Sequence, residues 1–153
     1  MADAEMNLSR FVASGFGSGL APKAPGTFGS LVGLAIGCAL LQAGHLALLA
    51  GIVVAFGIGL LAIGRMPEAA SDPGWIVIDE IAGQMIPLLA LYEVTIWGAL
   101  IAFVLFRLFD IWKPGPVAWA DKRKDEYGIM GDDIIAGLMA WLVMLALHLV
   151  SPL

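Results

Sequence analysis

No Asp, Glu, Lys or Arg occurs between Lys23 and Arg65. That uncharged stretch narrows the available folds more than any other feature of the chain. One helical crossing of a bilayer takes about 20 residues. The run is too long for one crossing and fits two, with a break at Gln42-Ala43-Gly44-His45. Helices are expected near 28–42 and 46–64. A third apolar region covers 81–106, interrupted at Tyr92-Glu93-Val94-Thr95, and a fourth covers 134–150. Only 14% of the 153 residues are charged, against about 25% in soluble domains. Mean hydropathy is +0.91. The expected fold is all-α: a polytopic helical bundle in a membrane, one domain over 1–153, with 1–13 as a peripheral N-terminal segment. The opening MADAEMNLSR has neither the basic nor the apolar region of a signal peptide. Cys38 is the sole cysteine and lies in an apolar run, so no intramolecular disulfide can form.

Polar segments remain at 1–27, 65–80 and 107–133, and they hold every Lys and Arg. The breaks at 42–45 and 92–95 hold none. Basic residues in short loops mark the cytoplasmic side, so all three segments are expected to face the cytoplasm. The region 81–106 must then enter and return, as two shorter helices turning at Tyr92-Glu93. The rival is a single tilted span, which would put 107–133 on the opposite face from 65–80.

The chemistry sits in these segments. GFGSGLAPKAPGTFGSLVG, residues 15–33, places glycines and prolines ahead of Thr27 and Ser30, at the start of an apolar helix. A helix N-terminus suits a phosphate, and Lys23 adds a full charge. No Walker loop or Rossmann fingerprint is present. Gly29, Gly33 and Gly37 also form a small-residue face for a neighbouring helix. In SDPGWIVIDEIAGQ, Asp79 and Glu80 open the third apolar region, where they also complement a helix dipole. In FRLFDIWKPGPVAWAD, Arg107, Asp110 and Lys113 are spaced by three and share a face if the helix reaches Lys113. Trp112 and Trp119 suit an interfacial aromatic belt. Lys122-Arg123-Lys124 reads as a solvated stretch or an anchor to anionic lipid. In GIMGDD, Asp132 and Asp133 abut the last apolar run, where one acid would serve as a helix cap.

Asp79, Glu80, Asp110, Asp132 and Asp133 thus gather at the mouths of apolar helices on one inferred face. Like charges in a low dielectric repel, and a hard divalent cation resolves this. Mg²⁺ takes oxygen ligands and bridges to substrate phosphate. Cys and His are too scarce for a zinc site, and His45 and His148 read as structural.

Together GFGSGLAPKAPGTFGSLVG, DPGWIVIDEIAG, FRLFDIWKPGPVAWAD and GIMGDDIIAG resemble, in order and spacing, the phosphatidylglycerophosphatase A family over roughly residues 14–140. The resemblance implies an all-helical, Mg²⁺-dependent lipid phosphatase of the bacterial inner membrane. Such an enzyme converts phosphatidylglycerol phosphate to phosphatidylglycerol, with its active site facing the cytoplasm. Asp79, Glu80, Asp110, Asp132 and Asp133 fall on the family's acidic positions. Thr27, Ser30, Arg107 and Lys113 fall on its polar and basic ones. Glu126-Tyr127 ahead of Gly128 departs from the smaller, glycine-rich approach expected there. The five acids are the expected metal ligands and catalytic groups, and Thr27, Ser30, Lys23, Arg107 and Lys113 the expected phosphate contacts. The expected partners are the lipid substrate and the bilayer, with no nucleic acid. A small ion or phosphate transporter using the acids as a cation pathway is the alternative. The pattern of a CDP-alcohol phosphotransferase is absent, as are the DxDx(T/V) and Cys-x5-Arg phosphoenzyme motifs.

Overall fold

A computed structural model describes residues 7–151, so residues 1–6 of the expected peripheral segment lie outside the described residues. The described chain is helical, with no strand. The helices are α1 (Leu8–Ala13), α2 (Pro25–Ala43), α3 (His45–Ile63), α4 (Ile78–Met85), α5 (Ile96–Trp112), α6 (Gly115–Asp121) and α7 (Glu126–Val150). Three of them, α2, α3 and α7, are long and apolar enough to cross a membrane.

Local chemistry sets the breaks. Gly44, at φ 121°, turns α2 into α3 in a conformation that side chains rarely adopt. Pro87 has no N–H to give the carbonyl one turn back, so α4 ends at Met85 and continues as a short 3-10 helix, Ile86–Ala90. Thr95 caps α5 by accepting from the Gly98 N–H at 3.0 Å. The region 81–106 is therefore two pieces, and the single tilted span is wrong. At the far end the His45 ring meets the Leu91 carbonyl at 2.8 Å, and Tyr92 packs edge-on against His148 at 5.2 Å. At the near end Arg10 pairs with Glu68 at 3.1 Å and Lys124 with Asp72 at 3.5 Å, tying the three polar segments together. Exposed aromatic residues ring both ends, with Trp112 and Trp119 at one and Tyr92 and Trp97 at the other. That is the pattern of membrane–water interfaces.

Several expected boundaries move. α2 begins at Pro25, after Ala24 in a left-handed conformation, so Thr27 and Ser30 lie inside the helix and neither caps it. α3 runs one residue earlier than expected. The largest shift is in α7, which starts at Glu126 because Asp125 caps it, accepting from the Gly128 N–H at 2.9 Å. Asp132 and Asp133 therefore sit inside the helix and not at its mouth. α5 ends at Trp112, and Lys113 leaves the helix at φ 49°, so Lys113 shares no helix face with Arg107 and Asp110.

Helix α4 is the axis of the bundle. Every residue of it except Glu80 is buried, and α2, α3 and α7 pack around it. Glycines permit the close approach. A Cβ on Gly33 would lie 2.6 Å from the Ile81 carbonyl oxygen, and one on Gly37 would lie 2.5 Å from Leu88. The expected small-residue face of α2 is thus its seam with α4. On the other side a Cβ on Gly83 would meet the Asp133 carbonyl oxygen at 2.6 Å, and one on Gly137 would meet the Gly83 carbonyl oxygen at 2.4 Å. These two backbone contacts lock α4 against α7 at the level of the acids.

Candidate active site

Asp79 comes from the first turn of α4, and Asp132 and Asp133 from the second turn of α7. All three are buried, at 8%, 6% and 2% exposure. Each offers a carboxylate oxygen, and these oxygens lie within 4.8 Å of one another. Residues separated by more than 50 positions are thus brought to one point by the Gly83–Gly137 seam. Glu80 is half-buried beside them. A Cβ on Gly26 would come within 2.4 Å of Glu80 Oε1 and 3.4 Å of an Arg107 nitrogen, so the N-terminus of α2 closes over this corner. Asp110 stands next to Asp133 and to Glu80.

The electrostatics of the triad are unbalanced. Among the described residues, neither Asp79 nor Asp133 has a basic partner, whereas Asp132 Oδ2 receives the Lys113 ammonium at 2.8 Å. Asp79 Oδ1 and Glu80 Oε2 are sealed from solvent with no hydrogen-bond partner. Asp79 and Glu80 lie outside the three membrane-crossing helices. Burial, and then the neighbouring Glu80, hold the Asp79 carboxyl well above its ordinary range. Burial, with Asp133 and Asp110 nearby, pushes Glu80 up to about 8. Orphaned carboxylate oxygens in so tight a group fit a hard cation with oxygen ligands. The three oxygens lie within 4.8 Å of one another, so one small ion could reach all of them with modest side-chain shifts.

The basic residues form a rim. Arg107 pairs with Asp110 one turn along α5 and reaches Ser30 Oγ at 3.4 Å. Ser30 in turn donates to the Gly26 carbonyl at 2.9 Å. The fully buried Ser30 therefore braces Arg107, where a direct phosphate contact had been expected of it. Thr27 is half-buried, one residue past Gly26. Lys23 is exposed in the turn before α2, with no ion pair among the described residues. The glycines at 15 and 19 serve packing: a Cβ on Gly15 would strike Ile81 at 2.7 Å and one on Gly19 the Trp75 carbonyl oxygen at 2.1 Å.

One further acid belongs here. Asp121, the last residue of α6, pairs with the same Lys113 ammonium that Asp132 receives. Between them the two acids hold the Lys113 ammonium above its ordinary range against the opposing effect of burial. No periodicity in the sequence links Asp121 to Lys113, because two prolines and a helix break intervene.

A family model described as phosphatidylglycerophosphatase A matches residues 11–148. A Haemophilus influenzae protein named phosphatidylglycerophosphatase A is 38% identical over 147 residues, covering 94% of this chain and 90% of its own. An Escherichia coli protein of the same name is 37% identical over 134 residues, covering 84% and 77%. A Bacteroides thetaiotaomicron protein provisionally named a phosphatidylinositol-3-phosphatase is 38% identical over 141 residues, covering 87% and 89%. No solved structure matches. With nearly all of its length matched, the buried acids of α4 and α7 included, the chain belongs to the phosphatidylglycerophosphatase A family.

Proposed function

We propose that this protein is a Mg²⁺-dependent lipid phosphatase that hydrolyses phosphatidylglycerol phosphate to phosphatidylglycerol and inorganic phosphate. The observation that carries the metal chemistry is the buried triad Asp79, Asp132 and Asp133, with its oxygens within 4.8 Å. Those three would hold the ion, and Asp110 would support it through its place beside Asp133. When bound, Mg²⁺ supplies Lewis acidity toward the phosphate and toward water.

The chain's own residues do the rest. Arg107, held by Ser30 and Asp110, presents a guanidinium to the phosphoryl oxygens. Lys113 adds a point charge on the same side, next to Asp132. Both offset charge that grows on those oxygens in the transition state. Glu80 lies beside the triad with one oxygen unpartnered; with a cation offsetting the burial and the neighbouring acids that keep it protonated, it would take a proton from an attacking water. Thr27 and Lys23, beside the opening turn of α2, extend the phosphate contacts outward. The acyl chains remain in the bilayer, and only the headgroup needs to reach the acids.

Basic residues gather at the end that carries the triad, while the far-end turns have none. The positive-inside rule supports a site on the cytoplasmic face, and membership of the family supports the bacterial inner membrane. The Bacteroides relative supplies a specific second reading, in which the headgroup is an inositol phosphate. Purified protein in detergent decides between them by phosphate release. Turnover of phosphatidylglycerol phosphate that needs Mg²⁺ and stops in EDTA is expected, with phosphatidylinositol 3-phosphate turned over far more slowly. Faster release from the inositol lipid would replace the substrate assignment. Full activity in EDTA would remove the metal.

A further inference from the structure

The Lys113 ammonium stands between two carboxylates. It donates to Asp132 Oδ2 at 2.8 Å and also to Asp121. Asp132 is a member of the triad, and Asp121 has no part in the chemistry described so far. The arrangement is built and not incidental. Lys113 sits at φ 49° after the last turn of α5, its N–H bonded to the Phe109 carbonyl at 2.9 Å and Pro114 following. Helix α6 is pinned by Val117 and Ala120, both buried, and packs against α7. Asp121, at the end of this short helix, is therefore held within reach of the same ammonium that Asp132 binds.

Asp132 has little to spare. Its Oδ1 accepts from the Asp133 N–H at 2.9 Å, and its Oδ2 from Lys113. An ammonium that settled wholly on Asp132 would compete with a divalent cation for the remaining lone pairs and would repel it. Asp121 takes a share of the ammonium. Lys124, 4.0 Å from Asp121 and 3.5 Å from Asp72, belongs to the same outer network.

We propose that Asp121 is a positioning residue: it shares Lys113 with Asp132 and so keeps Asp132 free to ligate a divalent cation. The proposal rests on the cation reading given above. Mn²⁺ binding to the purified, full-length protein, followed by the electron-paramagnetic-resonance signal of the free ion, tests it without any turnover. Asp121→Asn should weaken Mn²⁺ binding by roughly two- to five-fold, the scale of one partly exposed charge pair, and Asp121→Glu should restore it. Lys113→Met should bind Mn²⁺ at least as tightly as wild type. The double variant D121N/K113M should match Lys113→Met, because without the ammonium Asp121 has nothing to hold away. Wild-type binding by Asp121→Asn would overturn the proposal. So would a loss that persists in the double variant, since Asp121 would then act as a ligand or through its charge alone. If Asp121→Asn does not fold, weaker binding by Lys113→Met alone overturns it. Asp133→Asn separates the two levels: Mn²⁺ binding unchanged in that variant would sink the cation reading itself.

Discussion

Replacing Gly83 by alanine places a methyl group where the chain has room only for a hydrogen. Its Cβ would lie 2.6 Å from the Asp133 carbonyl oxygen, short of an ordinary contact of 3.4 Å by 0.8 Å. The obstacle is backbone and cannot rotate aside, and Phe106 closes the other side at 2.7 Å. Helices α4 and α7 must part by most of that distance, carrying Asp79 away from Asp132 and Asp133. Overpacking of this kind costs about 1–3 kcal/mol of stability. A displacement near 1 Å at a catalytic group costs about a hundred-fold in rate. Gly137→Ala, whose Cβ would meet the Gly83 carbonyl oxygen at 2.4 Å, should act in the same way. Gly57 has nothing within 4 Å of its would-be Cβ, so Gly57→Ala is the control. The assay is phosphate release from phosphatidylglycerol phosphate across a Mg²⁺ titration, with melting temperature measured on the same samples. The two seam variants should lose about two orders of magnitude in kcat and need more Mg²⁺, while Gly57→Ala behaves as wild type. Seam variants with wild-type turnover and Mg²⁺ requirement would refute the idea that this contact sets the geometry of the acids.

Other outcomes follow from single residues. Glu80→Gln should lower kcat by at least a hundred-fold while leaving Mn²⁺ binding near wild type, since Glu80 is placed as proton acceptor and not within the triad. Arg107→Lys should lower kcat by roughly ten-fold more than it raises KM, because a lysine cannot reproduce the fork that spans Ser30, Asp110 and a phosphate carrying transition-state charge. Glu80 also makes the cation-free protein sensitive to pH. Its carboxyl is raised from 4.5 to about 8 in the folded state, so the fold holds a proton that the unfolded chain releases. In EDTA, stability should therefore fall as pH rises between those values, by roughly 1.4 kcal/mol per unit. Mg²⁺ should reverse the loss, and a melting temperature in EDTA that rises over this window would contradict the sign.

What the sequence discloses and what it hides divide along a physical line. Charge placement is a global signal, so the folding back of 81–106 is legible from the distribution of Lys and Arg, and the gathering of Asp79 with Asp132 and Asp133 from that distribution together with acids at the borders of apolar runs. The start of α7 was not. Glu126, Gly128 and Gly131 read as a polar loop, and only the bond from the Gly128 N–H to Asp125 carries the helix back to Glu126. Spacing puts Lys113 on the face of Arg107 and Asp110 only if the helix reaches it, and Pro114 forces the turn that lifts it off. Ser30 had the right residue type for a phosphate contact, but its burial beneath Arg107 gives it a bracing role. Gly83 and Gly137 have no periodic signature, because each matters only through the backbone of the other helix. Asp121 depends on a short helix whose direction the prolines set, which no spacing rule reaches.

The central claim is that Asp79, Asp132 and Asp133 jointly hold a divalent cation. Crystals of the protein grown with Mn²⁺ and measured at the manganese edge test it most directly. An anomalous peak within about 2.5 Å of oxygens from all three residues is the expected result. A peak elsewhere, with the three carboxylates paired only to protein groups, would contradict the account.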